Sequence, residues 1–394
     1  MQTQKAIKGV NLLFLAIVMV AIVFEIVVGI LAALGLDVFM GKVTLQLVYS
    51  QLIFAIPAVL YFVYSGKDKK KGFEFLRFKK IRFSNILLCI LIYICLTPVL
   101  NFFNAVSLLY STNMISSVMF SVTDEVPFVV GVLIIAIVPA FLEEFTYRGI
   151  FYNTYRLGAG FGAALLSGLL FGLVHGNLNQ FTYAFVLGVI FALIVEATDS
   201  IWSTMIVHAL VNAMSVVTIY GLPAALRWMQ TLYDTAKAEN DINTMALLER
   251  FMGTDDFSLE NFMGTASDTL STADVLIMIR GYLIPAIIGG ILVFLLLRLI
   301  AKRCGRWEIM CSLFDGKRPQ APTTLEREII TYAEDGTFLA EPVYAEVPLE
   351  PQPVSRIKLI TWELIAAGVV QILLMTATEL LLRYGDELMA LFGR

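Results

Sequence analysis

Charged side chains are scarce in this sequence, and their scarcity excludes an ordinary soluble protein. They make up 15% of the 394 residues, while 58% of the residues are hydrophobic; a soluble domain carries about 25% charged residues. The net charge of −4 is small and the basic residues are confined to certain loops, which excludes nucleic acid as a partner. The sequence therefore predicts a protein that crosses a lipid bilayer several times.

Cysteine and histidine are also rare. The four cysteines form neither a CxxC pair nor a zinc-ribbon spacing, which excludes a disulfide framework and a structural zinc site. The sequence has no GxSxG motif and no cysteine placed with a histidine, so it offers no covalent nucleophile. Its two histidines are His175 and His208. Any hydrolytic chemistry would therefore use water as the attacking group.

Long apolar runs predict an all-α, polytopic transmembrane helical bundle of eight to nine spans, since about 20 apolar residues cross a bilayer. Of the 28 lysines and arginines, 21 fall on one side if the N-terminus is cytoplasmic and the C-terminus extracytoplasmic. This bias predicts a multi-pass protein of the cell membrane with that orientation. The predicted spans are 9–34, 43–64, 85–110, 126–155, 161–176, 180–197, 201–221, 275–300 and 358–382. The fifth and sixth are short, and one of them could be re-entrant.

Loops and spans together predict six segments. The basic inner loop 65–84 is interpreted as a topology signal that touches anionic lipid headgroups. An acidic extracytoplasmic segment includes a surface helix near 223–252, and a proline-rich cytoplasmic linker or small appendage precedes the last span. The segments are 1–124 with N-terminal helices, 125–221 with the helical core, the acidic 222–274, the helix 275–301, the appendage 302–357 and the C-terminal helix 358–394.

Three ionisable residues stand in an apolar stretch, in the sequence FLEEFTYRGIFYN. Such residues are costly inside a membrane and indicate a functional site. Glu144 and Arg148 are four residues apart, which predicts an ion pair on one helix face. Glu143 lies about 100° around the helix and has no such local partner. Pro139 removes a backbone hydrogen bond, which predicts a kink that opens a wet cavity beside the carboxylates.

Both histidines have a notable neighbour one helical turn away: Phe171 before His175, and Asn212 after His208. Gly168, Gly172 and Gly176 repeat every fourth residue, which predicts close approach of another helix beside His175. Counted at about 1.5 Å per residue from the predicted inner helix ends, Glu143, His175 and His208 lie about 18, 21 and 12 Å deep. They would therefore occupy one slab of the membrane.

These groups suit hydrolysis of a peptide bond. A carboxylate in a partly dry site is a stronger base, so Glu143 could take a proton from water. Histidine and asparagine donors could then stabilise the developing oxyanion. Plainer interpretations are a structural ion pair for Glu144, packing for Phe171 and the histidines, and a bridge between helices for Asn212. Five other charges are interpreted as interfacial or paired: Glu25, Glu196, Arg280, Glu363 and Glu379.

The motifs resemble those of the CPBP intramembrane endopeptidases, which include the type II CAAX prenyl endopeptidases and bacteriocin-processing proteins. The pattern EExxxR appears as Glu143, Glu144 and Arg148, FxxxH as Phe171 and His175, and HxxxN as His208 and Asn212. The resemblance covers roughly 125–215. It implies a membrane-embedded protease that cleaves a membrane-associated or lipidated peptide or protein substrate.

The resemblance also implies roles for these residues. Glu143 would be the base, His175 its partner in holding water, and His208 with Asn212 the oxyanion-stabilising pair. Glu144, Arg148 and Phe171 would support them. A metal-free glutamic protease without a cofactor is preferred, because the helical HExxH zinc motif is absent. The alternative is a zinc ion on Glu143, His175 and His208. Alternative functions are a non-enzymatic membrane scaffold or immunity protein, and a small-solute transporter.

Overall fold

The computed structural model describes residues 2–36, 43–65, 69–112, 126–252, 271–314, 325–332, 338–345 and 357–392. Within these ranges the fold is a helical bundle with one small hairpin. The helices are α1 Gln2–Ala33, α2 Val43–Ser65, α3 Lys69–Phe75, α4 Phe83–Ser107, α5 Phe128–Tyr155, α6 Gly160–Leu173, α7 Leu178–Thr198, α8 Ile201–Glu239, α9 Ile242–Met252, α10 Thr272–Arg303, α11 Trp307–Ser312 and α12 Trp362–Phe392. The strands β1 Leu325–Tyr332 and β2 Phe338–Ala345 pair antiparallel.

Eight of the described helices are long and apolar enough to cross a membrane, which confirms the predicted multi-pass helical fold. They are α1, α2, α4, α5, α7, α8, α10 and α12. The fifth predicted span is shorter than expected, because α6 has only 14 residues. At about 1.5 Å per residue it is about 21 Å long, less than the ~30 Å hydrocarbon core. The chain turns after Leu173, where Gly176 takes a positive φ of 71°.

Hydrogen bonds between helix ends show that α1 and α12 begin at the same end of the bundle. Asn11 donates to Thr361 and accepts from Tyr155, which lies beside Arg156. At the opposite end, Thr112 donates to Glu379 of α12. The end that contains Arg77, Arg156 and Arg306 is called the basic end below. Whether it faces the cytoplasm stays a prediction from the charge bias.

One buried carboxylate organises the basic end. Glu196 is fully buried, and it accepts hydrogen bonds from three guanidinium groups. The nitrogen–oxygen distances are 3.0 Å to Arg77, 2.7 Å to Arg156 and 2.6 Å to Arg306. Burial lowers the pKa of Arg156, but the charge and hydrogen bonds of Glu196 outweigh this and raise that pKa above its ordinary value. Arg77, expected at lipid headgroups as part of the basic loop, is therefore mainly a buried partner of Glu196.

The helix that contains His208, α8, ends later than the sequence predicted. The expected end was residue 221, but α8 continues through Pro223 to Glu239. The whole helix has 39 residues. At about 1.5 Å per residue this is nearly 60 Å, about twice the hydrocarbon thickness. Pro223 removes one backbone hydrogen bond without ending the helix. The expected surface helix near 223–252 is instead the end of α8 followed by α9.

Candidate active site

The helix that carries the two glutamates departs from regular α geometry on both sides of them. In α5, residues Val132–Ile137 and Phe145–Tyr152 are π-helical, and an α-helical stretch from Val138 to Glu144 lies between. Wider π turns re-aim side chains and are frequent at functional sites. The sequence predicted a kink at Pro139. In the structure, Pro139 lies in the α-helical stretch, and the departures from α geometry are the π-helical segments before and after that stretch.

Glu144 and Arg148 form the predicted ion pair. Their side chains are fully buried, and Nη1 of Arg148 lies 2.9 Å from Oε1 of Glu144. The guanidinium also lies between two aromatic rings, 4.3 Å from the centroid of Phe171 and 4.9 Å from that of Phe191. Ion pairing and cation–π contacts together offset the cost of burying the arginine. Phe171 therefore stabilises the buried guanidinium of Arg148 in addition to packing in the core.

His208 lies beside both glutamates, although it is more than 60 residues away in the chain. Its Nδ1 donates to Oε1 of Glu144 at 3.0 Å, and its Nε2 is 3.7 Å from Oε2 of Glu143. Because a carboxylate oxygen accepts, the Nδ1 bond fixes the tautomer of a neutral ring and turns its Nε2 lone pair toward Glu143. The 3.7 Å separation is longer than a hydrogen bond. A water molecule beside this gap could donate to both groups.

His175 lies just after α6, where its Nδ1 donates to the carbonyl oxygen of Phe171 at 2.7 Å. Its ring packs edge-on against the Phe171 ring at 5.0 Å, and the His208 ring also contacts Phe171 edge-on, at 5.8 Å. Glu143 is close enough to act electrostatically on the His175 imidazole. The structure thus brings both imidazoles against one aromatic ring, with Glu143 beside His208.

Asn212 lies one turn after His208 on α8 and is partly exposed. Within the described ranges, its side chain makes no hydrogen bond. The alternative interpretation of Asn212 as a bridge between helices therefore receives no support from these contacts. Its amide remains free to bind a ligand beside His208.

The glycine stripe brings α6 against α7, as predicted. A Cβ atom on Gly168 would lie 2.9 Å from the carbonyl oxygen of Phe185, and one on Gly172 would lie 3.0 Å from that of Phe181. The approach is mutual, since a Cβ on Gly188 of α7 would lie 2.7 Å from the Cα of Gly168. Gly176 does not extend the packed stripe, because it forms the left-handed turn after α6.

Sequence reasoning missed two glutamines that reach the site from outside the motif region. Nε2 of Gln51, on α2, donates to Oε1 of Glu143 at 3.3 Å. Nε2 of Gln371, on α12, donates to the carbonyl oxygen of Leu173 beside the His175 turn at 3.0 Å. Each is a polar residue within an apolar span, and this pattern alone could have marked them.

Several buried polar atoms at the site have no hydrogen-bond partner among the described residues. They are Oε1 of Gln51, Oε2 of Glu144, the hydroxyl of Tyr147, and Nε and Nη2 of Arg148. Buried polar groups are normally satisfied by protein or by water. Their concentration around Glu143 therefore supports a site that takes up water or the polar groups of a substrate.

The alternative zinc site would need Glu143, His175 and His208 to converge on one point. Among the described residues, no group of three or more histidine, cysteine, aspartate or glutamate side chains is arranged to hold a metal ion. The alternative zinc set is therefore not preassembled in this structure, and the choice between a metal-free and a zinc enzyme stays a prediction. The Nδ1 bond of His175 to the Phe171 carbonyl oxygen leaves Nε2 of that ring available to a ligand.

Comparison with known proteins confirms the resemblance stated from the motifs. Residues 125–214 match the family model described as Type II CAAX prenyl endopeptidase Rce1-like. A Bacillus subtilis protein, named "Putative membrane peptidase YdiL", is 30% identical over 87 residues. That alignment covers 22% of this chain and 36% of the relative, so the chain spans about a third of that protein's length. No solved structure matches the chain.

Proposed function

We propose that this protein is an intramembrane endopeptidase in which Glu143 activates water to hydrolyse a peptide bond of a membrane-associated substrate. The match of residues 125–214 to the endopeptidase family supports a protease. The observation that carries the proposal is the approach of His208 Nε2 to within 3.7 Å of Glu143 Oε2, near buried polar atoms that have no hydrogen-bond partner among the described residues. An ion pair between Glu144 and Arg148 with a purely structural role would not require Glu143 or a histidine beside it.

The reaction follows from the roles these groups can take. Glu143 removes a proton from water as the water oxygen bonds to the scissile carbonyl carbon. Asn212 donates a hydrogen bond to the resulting oxyanion, and His208 donates a second one from Nε2 in the doubly protonated form of its ring, which takes its extra proton from solvent before the substrate binds. Glu143 then delivers its proton to the amide nitrogen, and the carbon–nitrogen bond breaks to give a carboxylic acid and an amine.

The surrounding residues would position these groups. Glu144 holds Nδ1 of His208 at 3.0 Å and so orients the ring, as carboxylates orient histidines in other sites. Arg148 balances the charge of Glu144, and Phe171 fixes the spacing between the two imidazoles. Gln51 limits rotation of the Glu143 carboxylate. The steps use the preferred metal-free mechanism, which is supported by the lack of a preassembled metal-ligand cluster among the described residues.

Glu143→Gln tests the proposal, because glutamine keeps the shape and hydrogen bonds but is not a base. Membrane peptides from cells that express the wild-type or the variant protein would be compared by mass spectrometry, and turnover of an identified substrate would follow with purified protein. We expect turnover to fall about 10²- to 10⁴-fold with an unchanged unfolding midpoint. Glu379→Gln, at the opposite end of the bundle, is the matched control.

Unchanged cleavage in Glu143→Gln would refute Glu143 as the base. If Glu143→Gln leaves the cellular effect of the protein intact, and membrane peptides do not differ between the variant and the wild type, a scaffold function is favoured. Metal dependence has its own test: a chelator should leave turnover unaffected in a metal-free mechanism. Inhibition by the chelator and rescue by zinc, together with metal in the active protein, would overturn that preference.

A further inference from the structure

A small apolar cavity lies at the basic end, on the side of the bundle formed by α7, α10 and α11. Its volume is about 150 Å³ and its accessible lining is apolar. Among the residues that line it are Leu193 of α7, Phe294 and Leu297 of α10, and Met310 and Phe314 at and just after α11. An apolar cavity at the edge of a membrane protein suits a hydrocarbon chain better than a soluble metabolite.

Two unneutralised positive charges lie at this cavity. Arg298 lines it, and its guanidinium lies over the ring of Trp307 at 5.5 Å. Lys302 follows one turn later on the same face of α10, and both cations are exposed. In the part of the chain that the structure describes, neither side chain has a carboxylate partner, whereas Arg306 is paired with Glu196. The acidic residue on α11 is Glu308, which is exposed.

The position of these residues matches the headgroup level of a bilayer. Arg298 and Lys302 lie in the last two turns of a transmembrane helix, where long basic side chains extend toward phosphate groups. Trp307 is of the type enriched at the membrane interface. An apolar cavity with one free cation in its lining and a second one turn further along α10 therefore has the polarity that suits one phospholipid molecule with an anionic headgroup.

We propose that this cavity, formed by α7, α10 and α11, is a binding site for an anionic phospholipid. One acyl chain enters the cavity, and Arg298 and Lys302 bind the headgroup phosphate. Trp307 keeps the Arg298 guanidinium above the cavity entrance. The site is separate from the candidate active site and does not depend on the proposed peptidase activity.

Lipid retention by the full-length protein tests the proposal. Native mass spectrometry would count phospholipids that stay bound when purified protein is titrated with phosphatidylglycerol or with phosphatidylcholine. We expect preferential retention of one phosphatidylglycerol, and about 30-fold weaker binding in the double variant Arg298→Gln, Lys302→Gln, because two phosphate-binding charges are removed. The double variant Lys5→Gln, Lys80→Gln removes two exposed charges that do not line the cavity and should bind like the wild type. Equal retention of both lipids, or equal weakening in both double variants, would overturn the proposal.

Cys311 provides a second readout that needs no charge variant. It is exposed and lines the cavity, whereas Cys89 is buried. In a protein whose other three cysteines are replaced by alanine, phosphatidylglycerol should slow maleimide labelling of Cys311 at least severalfold. Phosphatidylcholine and inorganic phosphate should not. If phosphatidylglycerol leaves the labelling rate unchanged, the lipid does not enter the cavity and the proposal fails; if inorganic phosphate protects equally, the site binds free anions instead.

Discussion

Replacing Gly188 with alanine would disturb the contact that holds the candidate active site together. The added Cβ would lie 2.7 Å from the Cα of Gly168, 3.1 Å from Nη2 of Arg148 and 3.2 Å from Cδ1 of Phe171. Carbon atoms in proteins pack at about 3.5–4.0 Å. The methyl group therefore cannot be accommodated unless α6 and α7 separate by about 1 Å or the Phe171 ring moves.

Separation of the helices should lower the free energy of unfolding, and movement of the Phe171 ring should lower turnover; both quantities can be measured. Overpacking a tight interior costs about 1–3 kcal/mol, and 2 kcal/mol corresponds to a ~30-fold change in the unfolding equilibrium. Movement of Phe171 would also shift both imidazoles, since their rings contact it at 5.0 and 5.8 Å. Turnover should therefore fall even at temperatures where the variant remains folded.

The assay compares Gly188→Ala with Gly290→Ala in the same detergent. Gly290 lies on α10, and among the described residues no heavy atom beyond its own helix turn lies within 4 Å of the position that a Cβ would take there. Alanine at Gly290 should therefore be neutral or stabilising by up to ~1 kcal/mol. Denaturant midpoints and peptide turnover would be measured for both. The packing argument is refuted if the two variants unfold at the same denaturant concentration and cleave at the same rate.

Three further substitutions test separate contacts. Gln51→Leu removes a hydrogen bond to a charged group, worth about 1.5–3 kcal/mol, and should lower kcat/KM about 10- to 100-fold; unchanged kcat/KM would show that this contact does not position the base. Arg148→Gln leaves Glu144 buried without its cation and should cost about 3–5 kcal/mol of unfolding free energy, part of which the double variant with Glu144→Gln recovers. A double variant no more stable than Arg148→Gln would contradict this account. Glu196→Gln should lower the thermal midpoint more than Glu379→Gln, since Glu196 binds three arginines, and equal shifts would argue against the cluster as a stabilising unit.

Local spacing was sufficient to predict the ion pair and the packed glycines. Glu144 and Arg148 lie one turn apart on one helix, and any helix there brings them together. Gly168 and Gly172 likewise share one face, so a close helix contact follows from their period. The meeting of His208 with the glutamates was expected from helix depth and from the family resemblance, and the structure brings them together.

Contacts between distant segments had no such local signal. Gln51 reaches Glu143 across 92 residues, and Arg77 reaches Glu196 across 119. Neither pairing has a sequence period, because it depends on how separate helices pack. The length of α6 and the continuation of α8 through Pro223 were missed for a related reason. Hydropathy measures apolar content, while the end of a helix depends on backbone hydrogen bonds and on residues such as Gly176.

The arginine cluster at the basic end limits how the protein can be divided. Residues 125–214 include Glu196 and Arg156, but Arg77 precedes this region and Arg306 follows it. A fragment cut to the matched region would retain a buried carboxylate with one of its three guanidinium partners. During synthesis, Arg306 is also made more than 100 residues after Glu196, so the cluster is completed only when α10 has been inserted. We therefore expect a fragment limited to the motif region to be less stable than the same region in the full-length protein.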